Sequence, residues 1–310
     1  FFVVSPPQHL MRAFRLLLGP ALASALSLST PPLPSLPRAA QLTDLKRSGA
    51  LQLWDSARPR ASPTAVWQLK LFFPAADDMQ RQLGLRTQRD QDLTFRTVAL
   101  LAVGGVAGAA WVDSSALPPP LRQLATFALV AAPYAALAAV LAAPDGLTAI
   151  RRRLSPAYRR RQNYHEAGHL VVGYALGMEV AELNGATADG AAARVEFVSP
   201  WGAACRTHDV LDALAVLSMG GIAGEVLACG DAEGGYSDVA QLRRLMEVAS
   251  PPIETRAQQD DRIRWATLMA LTLLQNNRAA LDAVVQEFDR GDTNAGACIV
   301  AMENATTEMR

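Results

Sequence analysis

The sequence predicts a mainly helical protein, in which a two-helix transmembrane hairpin is followed by a helical domain carrying a small β-hairpin. Three observations carry that prediction. Two uncharged apolar runs, 97–112 and 124–143, flank a proline-rich breaker at 113–120. Downstream of them, apolar residues recur mostly at helical spacing, and only two short stretches, 178–183 and 193–198, read as strands. Half of the 310 residues are hydrophobic and the formal net charge is +0, so the chain can build a sizeable core and no nucleic-acid partner is expected. The three cysteines form no CxxC pair, which argues against a disulfide framework and a thiolate metal site.

Taken in order, residues 1–40 carry no acidic side chain and are rich in Ser, Pro and Ala around scattered arginines. That composition predicts a targeting segment, an organelle transit peptide in preference to a secretory signal, and Met11 is a candidate start. Residues 41–95 form a mixed region expected to be partly disordered, with Trp54 and Trp67 among prolines and one short helix in the polar stretch 77–92. The hairpin follows at 96–144. Gly104 and Gly108 have the small-xxx-small spacing that lets helices approach closely, and Pro133 is tolerable inside a span whose neighbours satisfy the freed carbonyl. A buried soluble hairpin is the alternative, because Ala and Gly are only weakly apolar. Arginines 151–153 and 159–161 come next, as expected on the side that is not translocated, where they can also meet anionic head groups.

The domain from 151 to 310 opens with a well-specified helix. Ser155 is the expected N-cap, Pro156 suits the first helical position, and Gly177 falls where the helix should stop. Inside it lies Tyr164-His165-Glu166-Ala167-Gly168-His169-Leu170. Histidines four apart on a helix stand about 40° from each other around its axis, so His165 and His169 can reach one zinc ion. Glu166 is badly placed to be a third ligand but well placed to act as general base on a water at that ion. Catalytic zinc keeps three protein ligands, and the acidic candidates downstream are Glu225, Asp231, Glu233 and Asp238. Helices are expected from His208 through Leu227, over 239–248, and at 256–275 and 278–290, and the second strand could pair with substrate backbone along its edge.

Three landmarks in order, His165-Glu166-Ala167-Gly168-His169, Gly220-Gly221-Ile222-Ala223-Gly224-Glu225 and Ser237-Asp238, resemble those of the FtsH-type membrane zinc proteases. The resemblance spans roughly 151–290 and implies that His165, His169 and Asp238 hold Zn2+, with Glu166 as base. It also implies hydrolysis of protein or peptide substrates at a membrane, and homo- or hetero-oligomers with FtsH-type proteins. The chain departs from the pattern in having Ile222 where members carry an arginine, and in lacking the two consecutive glutamates. No Gly-x-x-x-x-Gly-Lys-Ser/Thr loop occurs, so the ATPase motor of the family is missing. That combination looks like the ATPase-free branch of plastids, implying a chloroplast membrane, thylakoid or inner envelope, as the location. The alternative within the resemblance is a pseudoprotease acting as scaffold or assembly factor, against which the intact Glu166 stands.

Overall fold

A computed structural model describes residues 38–72, 89–142, 145–198, 207–291 and 294–308. The expected targeting segment lies outside these except for its last residues, as do Cys205 and the expected helix at 77–92 up to Arg89. The described chain is mainly helical, with one two-stranded antiparallel sheet.

In chain order, α1 (Ala39–Arg47) and the single turn α2 (Val66–Leu69) precede the hairpin helices α3 (Arg89–Asp113) and α4 (Pro119–Ala142). Then come α5 (Asp145–Leu154), α6 (Pro156–Ala175), β1 (Val180–Asn184) and β2 (Arg194–Phe197). The chain closes with α7 (His208–Cys229), α8 (Tyr236–Val248), α9 (Arg256–Asn276), α10 (Arg278–Arg290) and α11 (Ala295–Glu308).

The centre of the domain is the crossing of α6 and α7. Helix α6 begins as its sequence dictates: the Ser155 side chain accepts a hydrogen bond from the Tyr158 amide, and Pro156, which has no N–H to leave unsatisfied, occupies the first turn. It ends before Gly177, whose φ of +75° a side chain would strain. Leu170, Val171, Val172, Tyr174 and Ala175 are fully buried. Glycine permits the close crossing: a Cβ on Gly168 would lie 2.2 Å from the Gly220 carbonyl oxygen, and one on Gly224 would lie 2.3 Å from that of Tyr164. Helix α9 packs across α7, α10 packs on α6, and α11 covers α10. Among the described residues, α7 is the one helix long and apolar enough to cross a membrane, but 83% of its apolar window is buried inside the protein, which makes it a core helix.

The apolar hairpin forms as two helices in mutual contact, with Ser114 to Pro118 as the turn. Its contact register differs from the one expected. Gly105, not Gly104, meets the partner helix: a Cβ there would lie 2.4 Å from the Leu129 carbonyl oxygen, whereas nothing lies within 4 Å of one on Gly104. Gly108 does face Leu129. Spacing alone cannot tell which of two adjacent glycines faces a neighbour.

Residues 38–72 contribute to the core rather than forming a loose leader. Trp54 is 1% exposed and packs edge-on against Tyr174, with ring centroids 5.0 Å apart. The buried Glu303 carboxylate accepts the backbone N–H groups of Gln52, Leu53 and Trp54 as well as the Tyr174 hydroxyl. Asp55 and Ala57 donate their amides to the Tyr174 and Ala175 carbonyls, so this segment satisfies the C-terminal end of α6, which would otherwise need water.

The arginines expected at lipid head groups are mostly spent inside the protein. Arg151 pairs with Glu233 at 3.0 Å and lies over the Tyr158 ring, and the buried Arg152 donates to the Gly190 carbonyl. Arg153 donates to the Asp189 carbonyl, Arg159 to that of Arg152, and Arg161 enters the metal-centre region described below. Arg160 remains exposed, above the Tyr164 ring.

Candidate metal centre

Helical spacing sets His165 and His169 on one face of α6, and the contacts behind each ring fix which nitrogen points inward. His169 Nδ1–H donates to the Leu217 carbonyl at 2.9 Å, and a carbonyl can only accept, so Nε2 is left with its lone pair. His165 Nδ1 lies 2.7 Å from Glu225 Oε1, and the carboxylate likewise holds the proton on Nδ1. Both Nε2 atoms turn to the same point, where Asp238 Oδ2 joins them from the first turn of α8. The separations are 3.2 Å between the two nitrogens, 3.1 Å from His165 Nε2 to Asp238 Oδ2, and 3.7 Å from His169 Nε2 to the same oxygen. A tetrahedral ion with bonds of about 2.05 Å separates its ligands by about 3.3 Å.

Two further observations fit a cation there. Asp238 Oδ2 is shut off from solvent and meets only the two histidine Nε2 atoms, an arrangement that is costly for a carboxylate oxygen unless a proton on one of them or a cation lies between. A Cβ on Gly221 would lie 2.5 Å from both histidine Nε2 atoms, so the second glycine of the pair leaves the space that the rings occupy. The electrostatics agree. Burial works to lower the His165 pKa, yet Asp238 and Glu225 on either side raise it well above the ordinary histidine value. Burial works to raise Asp238, but the two facing histidines hold it well below the usual carboxylate range. This point in the protein favours positive charge, and a divalent ion is an alternative to the proton.

The structure separates the four acidic candidates for a third ligand. Asp238 joins the histidines. Glu225, 2% exposed, sits behind His165, where it accepts the amides of Glu233 at 2.9 Å and Gly234 at 3.3 Å. Burial tends to raise the Glu225 pKa, but the bonds from His165 and the Glu233 amide, with the charges of His165 and Arg161, lower it overall, keeping it anionic. Asp231 and Glu233 pair with arginines instead. The sequence signal for the role of Glu225 was its place one turn beyond Gly221, on the face of α7 turned to α6.

Glu166 lies beside His165, and its Oε2 accepts the Val195 amide at 2.9 Å. Val195 stands opposite Leu183 of β1, and because its amide is donated to Glu166 and not across the sheet, that pair is a non-hydrogen-bonded one and the amide points away from β1. Among the described residues this edge of β2 pairs with no other strand and lies beside Glu166, and Phe197 packed over Gly173 holds the strand against α6. No protein-family model, curated protein or solved structure matches the chain.

Proposed function

We propose that the chain is a membrane-anchored zinc metalloendopeptidase of FtsH-like type that works without an ATPase motor. The observation that carries this reading is the convergence of His165 Nε2, His169 Nε2 and Asp238 Oδ2 at ligand-to-ligand distances, with Glu166 next in sequence to one of them. These three residues would hold the ion. Bound zinc supplies Lewis acidity, polarising a peptide carbonyl and lowering the pKa of water towards ~7. Glu166 takes the proton of the attacking water and returns it to the leaving amine, a role within reach of a carboxylate at the rim of the centre. Glu225 and the Leu217 carbonyl keep both rings in the tautomer that offers Nε2. The β2 edge offers a strand-shaped substrate backbone hydrogen bonds beside Glu166. Extended or unfolded polypeptides are the expected substrates, since these 310 residues contain no Gly-x-x-x-x-Gly-Lys-Ser/Thr loop.

The exposed apolar surface of the hairpin supports the membrane part of the reading, although α7 is the one described helix that is long and apolar enough to cross a membrane. Leu100, Val103 and Trp111 on α3 and Phe127 and Tyr134 on α4 are each at least 70% exposed, a surface suited to lipid. Residues 38–72 pack on the same domain as α6, so the two flanks of the hairpin share one side, as a segment that crosses twice requires. The exposed Arg153 and Arg160 after the hairpin and Arg86, Arg89 and Arg96 before it, against the single Arg122 near the turn, support a non-translocated location for that shared side, and the acid-free leader favours a chloroplast membrane. Association with FtsH-type proteins would complete an assembly.

One reconstitution tests the whole. The 310-residue chain in sealed phosphatidylcholine vesicles should stay with the membrane in alkaline carbonate and cut unfolded casein. A chelator should stop cleavage, zinc should restore it, and ATP should leave the rate unchanged. A zinc-loaded chain that never cuts casein or peptides would leave the scaffold role as the better account, and release by carbonate would make the hairpin a soluble one.

A further inference from the structure

Outside the ligand set, Arg161 stands four residues before His165 on α6 and is 17% exposed at its side chain. Its guanidinium meets three acidic residues at once. Nη1 donates to the Asp231 carbonyl at 2.9 Å and to Glu225 Oε2 at 3.3 Å. Nη2 donates to Asp231 Oδ1 at 2.8 Å, and Nε lies 3.8 Å from Glu233 Oε1. Glu225 belongs to α7 and stands behind His165, whereas Asp231 and Glu233 belong to the short loop that runs into α8 and Asp238.

We infer that Arg161 is a positioning residue of the metal centre, fixing where Asp238 stands by clamping the loop before α8 to Glu225 and α6. The inference rests on the reading that the triad binds zinc. Asp238 is the one ligand not carried by α6, so its distance from the histidines depends on how that loop is held. Glu225 alone gives the loop two amide bonds. Without the guanidinium, Glu225, Asp231 and Glu233 become three carboxylates on one short stretch of structure with less positive charge among them, and mutual repulsion opens the loop. The planar fork of arginine matters because it serves a carbonyl and carboxylates in fixed directions, which a lysine ammonium cannot do at once.

The test is zinc affinity of the 310-residue chain by competition with a chromophoric chelator, together with the visible spectrum of the cobalt-substituted protein. Arg161→Ala should weaken zinc by about 10- to 100-fold, the range for residues that orient ligands. The cobalt bands should also lose the intensity of a compact tetrahedral site. Arg161→Lys should fall between wild type and Arg161→Ala, and it decides the matter if the alanine variant does not fold. Arg160→Ala, an exposed neighbour, serves as the control and should match wild type. Folded Arg161 variants with wild-type zinc affinity and cobalt spectrum would overturn the inference even if their melting temperature fell. Failure of the wild-type chain itself to bind zinc is a separate result, and it would remove the reading beneath the inference as well.

Discussion

Glu166→Gln is expected to abolish peptide cleavage while leaving zinc in place. Glutamine keeps the size of the side chain and an acceptor oxygen for the Val195 amide, so the strand beside the centre stays where it is. What it removes is the ability to take a proton. General base catalysis contributes about 10²- to 10⁴-fold, and the loss in kcat should fall in that range or below detection. Metal analysis on the same sample separates this from damage to the site. Activity of Glu166→Gln within a few-fold of wild type would mean that another group takes the proton.

The second large effect is on the fold, and two hairpin and domain glycines give opposite expectations for the same substitution. Gly→Ala in a helix is intrinsically favourable by about 0.8–1 kcal/mol. At Gly168 the added methyl would sit 2.2 Å from the Gly220 carbonyl oxygen, a backbone atom that yields only if α6 and α7 move apart. Overpacking of this kind costs about 1–3 kcal/mol or more, so the steric term should win. Separation of the helices also carries His165 and His169 away from Glu225 and Leu217, and metal binding should fall together with stability. At Gly104, where nothing lies within 4 Å, only the favourable term remains, and the variant should be no less stable than wild type. Urea unfolding of the two variants checks both signs. A fully stable Gly168→Ala protein would show that the helix crossing is looser than described.

The parts of the fold legible in the sequence are those written in local chemistry. Ser155 and Pro156 start α6, Gly177 follows its end, and the His165–His169 spacing shows which face looks inward. The two strands and the four helices between His208 and Arg290 also follow from period and turn residues, whereas α11 was not expected. What escaped was long-range. Nothing around Trp54 announces that it will pack on Tyr174, because its partner is Glu303 at the far end of the chain, and such pairing leaves no periodic trace. The arginines were half legible for a related reason: a run of charges after an apolar segment reads as a membrane flank, and nothing in it shows that Arg151, Arg152 and Arg161 also find carboxylates or carbonyls brought near only by folding. Glu225 lay on the right face of α7, but ligand and support for a ligand are separated by a few ångströms that sequence does not encode.

Zinc content at equilibrium in wild type, Asp238→Ala and Glu225→Ala tests whether two histidines and Asp238 hold one zinc ion. Wild type should hold one zinc per chain at neutral pH. Asp238→Ala removes a ligand and should lose at least about 100-fold in affinity, beyond the roughly 10- to 100-fold expected of Glu225→Ala, which removes only the support of His165. Full zinc in Asp238→Ala together with none in Glu225→Ala would contradict the account and make Glu225 the ligand.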